Sequence, residues 1–238
     1  MKLIKILTSG LIKFIYFNYH TKRIIKTLKS LQRLQIFHIL DIGAHRGETI
    51  KILFSAFNPL KIICFEPQLD NFNFLKNNFS TNPKIELKNF ALGDRRETKT
   101  LNVNADPGTS SLMKFNKKSK YLKLKSFLLG KKNYKDLILR KEEIDVYPLD
   151  SIDLNIKNID MIKIDVEGYE EKVLKGAEKT FIKNNIKIIL IEFHLSKMFE
   201  EYNYNNLINL LETNGYTLYK KIKFPFAFWE DRIYIKDL

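Results

Sequence analysis

The chain of 238 residues contains one cysteine, Cys64. A lone Cys excludes an intramolecular disulfide framework and a multi-Cys zinc site. No stretch free of Asp, Glu, Lys and Arg exceeds ten residues. A transmembrane helix needs about 20 apolar residues in a row, so an ordinary one is excluded. Acids are absent before Asp41, and Arg is scarce, only seven of the 41 basic residues. Bidentate readout of phosphate or guanine favours Arg, so the formal charge of +14 is a poor signature of nucleic-acid binding. Lys, Ile and Asn have A/T-rich codons, and a biased genome supplies this composition without selection for polyanions. What is present is 45% hydrophobic residues with 18 Phe, enough for a full core.

The charge is local. Residues 1–40 carry eight basic groups and no acid. At about 100° per residue, Lys2, Lys5, Ser9 and Lys13 share one helical stripe, with Leu3, Leu7, Leu11, Phe14 and Ile15 opposite. Lys5 and Lys13 interrupt the apolar core that a cleaved signal would need. Two readings of residues 1–35 stay open. One is an interfacial helix among anionic headgroups on the inner face of a membrane. The other is a helix that packs on the domain and closes one side of a sheet. A second Lys-rich stretch, residues 117–141, has ten Lys/Arg against Asp136. It reads as an insertion or lid, spanning about 114–143, within a domain covering 36–238.

From residue 36 the pattern alternates. Strands are expected at 36–42, 61–66, 84–90, 97–104, 145–149, 160–166, 187–193, 216–222 and 232–236. Helices are expected at 48–57, 69–79, 170–182 and 198–212. An aromatic linker, 224–229, joins the last two strands. No repeat of fixed period occurs. Strands alternating with helices imply a parallel α/β sheet with helices on both faces. The last two strands lack room for a crossover, so they pair antiparallel. This arrangement resembles the Rossmann-like fold of class I S-adenosylmethionine-dependent methyltransferases, a fold-level analogy.

The first strand ends in Asp41-Ile42-Gly43-Ala44-His45-Arg46-Gly47-Glu48. Glycines at a strand-to-helix turn let backbone approach a ligand, and the helix N-terminus favours an anionic group. Asp41 is the candidate partner of a ligand ammonium. The spacing is not that of the dinucleotide fingerprint. Glu66, at the end of the second strand, is placed to take both hydroxyls of an adenosine ribose. Cys64 lies inside that strand and reads as core. Farther on, Ile164-Asp165-Val166-Glu167-Gly168 ends a strand with two acids. The next strand ends Glu192-Phe193-His194, with Glu192 and His194 on one side because the side-chain period is two. Asp165, Glu167, Glu192 and His194 are therefore expected to converge. Two chemistries fit: deprotonation of an acceptor hydroxyl by His194 or a carboxylate, and a divalent cation held by carboxylates, Asp165 and Glu192 being candidates. The alternative is that some of these acids cap the following helix or pair with Lys163.

Taken with Phe65-Glu66-Pro67, 89–94, Thr109-Ser110-Ser111-Leu112, Leu149-Asp150-Ser151-Ile152, 162–169 and 191–194, these segments resemble the FkbM family of methyltransferases. The resemblance runs from Ile39 to His194, roughly two-thirds of the chain. It implies S-adenosylmethionine as cofactor and O-methylation of sugars, polyketides or related products. Carried over by position, Asp41, Gly43, Ala44, Gly47 and Glu66 line the cofactor. Asn89 and Ala91 lie near the adenine, and Asp165 and Glu167 face the reaction centre. The family commonly has Asn where this chain has His45. The expectation is a cytoplasmic O-methyltransferase acting on a glycan, a lipid-linked sugar or another small molecule. The alternatives are a nucleic-acid methyltransferase and a non-catalytic, membrane-associated cofactor-binding protein. Against nucleic acid, no Asn-Pro-Pro-Tyr type pocket is present, and Cys64 is misplaced for attack on a base.

Overall fold

The computed structural model describes residues 19–105, 107–156, 158–224 and 229–236. The Lys stripe of residues 2–13 and linker residues 225–228 lie outside the described residues. Seven strands form the main sheet: β1 (His38–Ile42), β2 (Lys61–Phe65), β3 (Ile85–Lys88), β7 (Met161–Ile164), β8 (Ile188–His194), β9 (Tyr216–Lys223) and β10 (Trp229–Lys236). Their order is β3-β2-β1-β7-β8-β10-β9. β3, β2, β1, β7 and β8 run parallel. β10 pairs antiparallel with both β8 and β9, as the short connection requires. This is the class I methyltransferase-like α/β architecture. Strand order reverses between β1 and β7, the place where open α/β sheets bind ligands.

Both faces of the sheet are covered, so its strands read as apolar runs rather than alternations. β8 is buried along its whole length, and successive residues enter opposite cores. On one side lie α1 (Thr21–Lys29) and α2 (Glu48–Phe57), which bury Ile24, Leu28, Leu53 and Ala56. On the other lie α5 (Glu170–Lys175), α6 (Glu178–Lys183) and α7 (Tyr204–Thr213), with Val173, Leu174, Phe181 and Leu207 in that core. The described part of the basic N-terminal segment thus packs on the domain. His20 anchors its start by a 2.6 Å contact to Asp231.

α2 and α3 (Leu69–Phe79) fall where their periodicity puts them. Three expectations change. The helix expected at 170–182 is two short helices, broken at Gly176. A Cβ there would lie 1.8 Å from the Gly93 carbonyl oxygen. That close approach is tertiary and leaves no local pattern. The helix expected at 198–212 begins at Tyr204, capped by the Asn203 side chain, which accepts from the Asn205 N–H. Met198 and Phe199 instead pack with Phe115 and Leu122 of the Lys-rich region. That region is partly regular: α4 (Lys120–Leu128) is followed by β6 (Ile138–Tyr147), longer than the strand expected at 145–149. β6 pairs with β5 (Glu97–Asn104) and with β4 (Ala91–Leu92) in a second, three-stranded sheet. Residues 138–143, read as the end of an insertion, are therefore part of a strand.

Candidate active site

A solvent-open cavity, about 660 Å³ with the open solvent at its mouth included, lies at the carboxyl ends of β1, β2 and β7. Its floor is the turn after β1. Gly43 has φ +79, and a Cβ there would sit 1.9 Å from the Asp165 carbonyl oxygen. Glycine is required both by the conformation and by the closeness of the two strand ends. His45 has φ +48. Asn and His are among the side chains enriched in the left-handed region, which gives a backbone reason for either residue at this position. The His45 N–H donates to Glu66 Oε2 at 2.8 Å, and its Nδ1 contacts Glu48 at 3.2 Å. Burial pulls the Glu48 carboxyl up, but the hydrogen bond and charge of His45 outweigh it and leave Glu48 below its ordinary value. His45 Nε2 lies buried at the cavity without a hydrogen-bond partner.

Glu66 forms the wall at the end of β2. Its Oε1 accepts from the Gln68 N–H at 2.9 Å. Burial raises its pKa to about 7, against those two backbone donors. Two amide donors leave acceptor capacity on both carboxylate oxygens. Gln68 Oε1, also at the cavity, is buried and unpartnered. Phe90, Ala91, Leu92, Leu101 and Leu112 supply an apolar wall.

Not every expected residue reaches the cavity. Asp41 is fully buried and does not line it. It pairs with Lys163 Nζ at 3.1 Å, its neighbour in strand register on β7. Lys163 also donates to the Gly43 carbonyl at 2.6 Å and lies 3.6 Å from Asp165. Burial works to lower the Lys163 pKa, but the charges of Asp41 and Asp165 overcome it and hold the ammonium charged. A direct contact between Asp41 and a ligand ammonium is thus corrected to a buried ion pair. Gly47 serves packing, because a Cβ would meet the Phe79 ring at 2.5 Å. Ala44 is buried, with its N–H donating to the Phe65 carbonyl. Asn89 is exposed and braces the turn through bonds to the Glu66 and Pro67 carbonyls. Cys64 is buried, and burial pushes its thiol well up, as befits a core residue.

Asp165, Glu167 and Tyr169 line the far side of the cavity. Asp165 is the more open acid, with its side chain 36% exposed. Glu167 has φ +53, and its carbonyl accepts from Ser111 Oγ. Glu170 folds back under this turn and accepts from the Val166 and Gly168 N–H groups. Burial raises its pKa to about 7. The four residues expected to converge divide. Glu167, Glu192 and His194 offer ligand atoms all within 4.8 Å of one another, and Asp165 is not in that group. His194 Nε2 is 3.4 Å from Glu192 and 3.9 Å from Glu167. Burial, assisted by the charge of Lys125, lowers the His194 pKa to about 3. Burial and the charges of Asp165 and Glu167 push Glu192 well up.

Sequence reasoning missed Gln68, the Ser111 brace and the fold-back of Glu170. Only Glu170 left a trace, an acid in the first helical turn.

A family model described as the methyltransferase FkbM domain matches residues 41–218. Two solved structures share the fold. One is methyltransferase FkbM from Methylobacillus flagellatus KT, at 17% identity and a TM-score of 0.54, covering 84% of this chain and 44% of that one. This chain thus spans less than half of that relative's length. The other is magnesium protoporphyrin IX methyltransferase from Synechocystis PCC 6803, solved with bound SAM. It has 7% identity and a TM-score of 0.50, covering 91% of this chain and 78% of that one. Among curated proteins nothing matches.

Proposed function

The chain belongs to the FkbM methyltransferase family, and on that premise we propose that it methylates a hydroxyl oxygen of a sugar, glycan or related small molecule. The reading is carried by one cavity with a buried diol-accepting carboxylate, Glu66, at one end and acids, Asp165 and Glu167, at the other. S-adenosylmethionine would supply an electrophilic methyl group. Glu66 would accept from its ribose hydroxyls, while His45 Nε2 and Gln68 Oε1 offer unspent polar atoms beside it. The apolar wall at Phe90 and Ala91 suits an adenine face. The chain's own work is then positioning and proton removal.

Asp165 is our candidate to accept the hydroxyl proton, since it lines the cavity and retains solvent contact. His194 does not line the cavity and is 3% exposed, so it does not reach an acceptor there. We also place the acceptor near an anionic membrane on its cytoplasmic face. Lys120, Lys123, Leu124 and Phe127 of α4 lie exposed at helical spacing, with Phe127 78% exposed. Lys125 of the same helix donates to Thr109 beside the cavity-lining Gly108 and Ser110. Among the described residues no helix is long and apolar enough to cross a membrane.

Calorimetric titration with S-adenosylhomocysteine tests the cofactor half. Wild type is expected to bind, and Glu66→Ala to bind at least about tenfold more weakly through loss of a charged acceptor. Asp165→Asn should retain binding and lose about 10²-fold or more in turnover. Absence of binding at high micromolar concentration overturns the cofactor reading. Label transferred from S-adenosylmethionine into glycan or lipid fractions of an extract supports the acceptor class. Label in RNA or DNA supports the nucleic-acid alternative instead.

A further inference from the structure

Glu167, Glu192 and His194 stand behind the cavity wall, on two different strand ends. Glu167 follows β7 and lines the cavity, whereas Glu192 and His194 close β8. Two observations concern this group. Its geometry is the first. Ligand atoms around a first-row divalent cation stand about 2.0–2.2 Å from it, which puts neighbours about 3 Å apart and opposite ligands about 4.3 Å apart. The contacts of 3.4 Å and 3.9 Å, with all atoms inside 4.8 Å, need only a slight contraction to reach that range.

The second observation is an orphan. His194 is 3% exposed, and its Nε2 faces the carboxylates with no hydrogen-bond partner. Its ring is held in place by edge contacts with Phe199 and Tyr202. Its backbone N–H is tied by donation to the Tyr202 hydroxyl at 2.9 Å. A buried imidazole nitrogen held in place and left unused is costly unless something binds it.

We propose that Glu167, Glu192 and His194 form a site for one divalent first-row transition cation. One imidazole and two carboxylates make a mixed nitrogen and oxygen set. Such a set suits Mn²⁺, Fe²⁺ or Zn²⁺ better than Mg²⁺ or Ca²⁺, which favour oxygen alone. Through Glu167 the cation would adjoin the cavity, where its charge would ease ionisation of a hydroxyl brought alongside. The site stands on this geometry and not on the identity of the acceptor.

The test is a Mn²⁺ titration of the full chain without cofactor, following the spin-resonance signal of free Mn²⁺. One saturable site per chain is expected. His194→Gln and Glu192→Gln should each weaken it at least about tenfold, the usual effect of losing ligand-sphere contacts. Zn²⁺ should displace Mn²⁺, following the order of divalent affinities. A wild-type measurement guards against variants that fail to fold: bound Mn²⁺ should broaden the imidazole resonances of His194 and spare those of His38. No saturable binding at millimolar Mn²⁺, or binding that spares His194, overturns the proposal. S-adenosylhomocysteine titration reads the cavity separately, so loss of one site without the other identifies which reading has failed.

Discussion

Two neighbouring groups of acids meet different fates. At the ends of β1 and β7, Asp41 and Asp165 flank Lys163, whose ammonium stands 3.1 Å from the first and 3.6 Å from the second. Beside them, Glu167 and Glu192 gather around a buried His194, with ligand atoms all within 4.8 Å of one another. The first group is internally compensated, so its charges hold the strand ends together. The second leaves the buried His194 Nε2 without a hydrogen-bond partner. A cluster closed around a lysine is read as architecture, and one that holds an unused buried nitrogen as a place for a ligand. Sequence position alone would have ranked Asp41 with the second kind.

The sharpest way to break this contrast is to remove the central cation. Lys163→Met would leave Asp41 buried and unpaired, and the Gly43 carbonyl without its donor. Breaking a buried pair in this way costs about 3–5 kcal/mol, measured by urea denaturation. Glu192→Gln removes a buried acid that no Lys or Arg pairs among the described residues, and should leave stability of the metal-free chain unchanged or raised. If Lys163→Met costs less than about 1 kcal/mol, as an exposed pair would, the compensated group is not what fixes the strand ends.

A somewhat smaller effect is expected at Glu66. The folded chain keeps the Glu66 proton up to about pH 7, whereas the unfolded chain releases it near 4.5. Between these values the native state binds more protons than the unfolded state, so this group's contribution to stability falls as pH rises. The penalty is complete above pH 7 and amounts to about 3 kcal/mol at most. Glu66→Gln does not titrate. The stability difference between variant and wild type should therefore move in the variant's favour by up to that amount between pH 5 and pH 8. Any constant cost of the lost acceptor cancels in the trend. A flat difference would mean that Glu66 is already ionised in the folded chain at pH 5.

These groups also mark the limit of what the sequence discloses. The spans of α2, α3 and β5 follow from periodicity, because each has one buried face and local turn signals. The antiparallel pairing of β9 and β10 follows from the shortness of their connection. Glu66 is legible as a strand-end acid beside a glycine turn. Asp41 carries the same local signal. What separates them is that Asp41 stands opposite Lys163 across the β1–β7 pairing, and no single-strand pattern reveals which strand lies alongside. The break at Gly176 is hidden for the same reason, since its cause is the Gly93 carbonyl on a distant segment. His194 is legible as a strand-end residue on the same side as Glu192, but not as a fully buried one. Its burial comes from Phe199 and Tyr202, which periodicity had assigned to a helix.

The smallest expected effect on stability lies on the exposed basic face of α4. Leu124 and Phe127 are 46% and 78% exposed, and they share a stripe of α4 with Lys120 and Lys123. Buried α4 residues such as Leu122 make the packing contacts with Phe115 and Phe199. Replacing both exposed residues, as Leu124→Ser with Phe127→Ser, should change stability by no more than about 0.5 kcal/mol, the range for surface positions. Flotation with vesicles rich in anionic lipid should nevertheless fall severalfold, because the apolar anchor is lost while the Lys charge stays. Neutral vesicles should bind neither protein. A stability loss above about 1 kcal/mol would show that the stripe belongs to the core. Flotation equal to wild type would remove these two side chains from any membrane contact and leave the Lys charge alone to explain it.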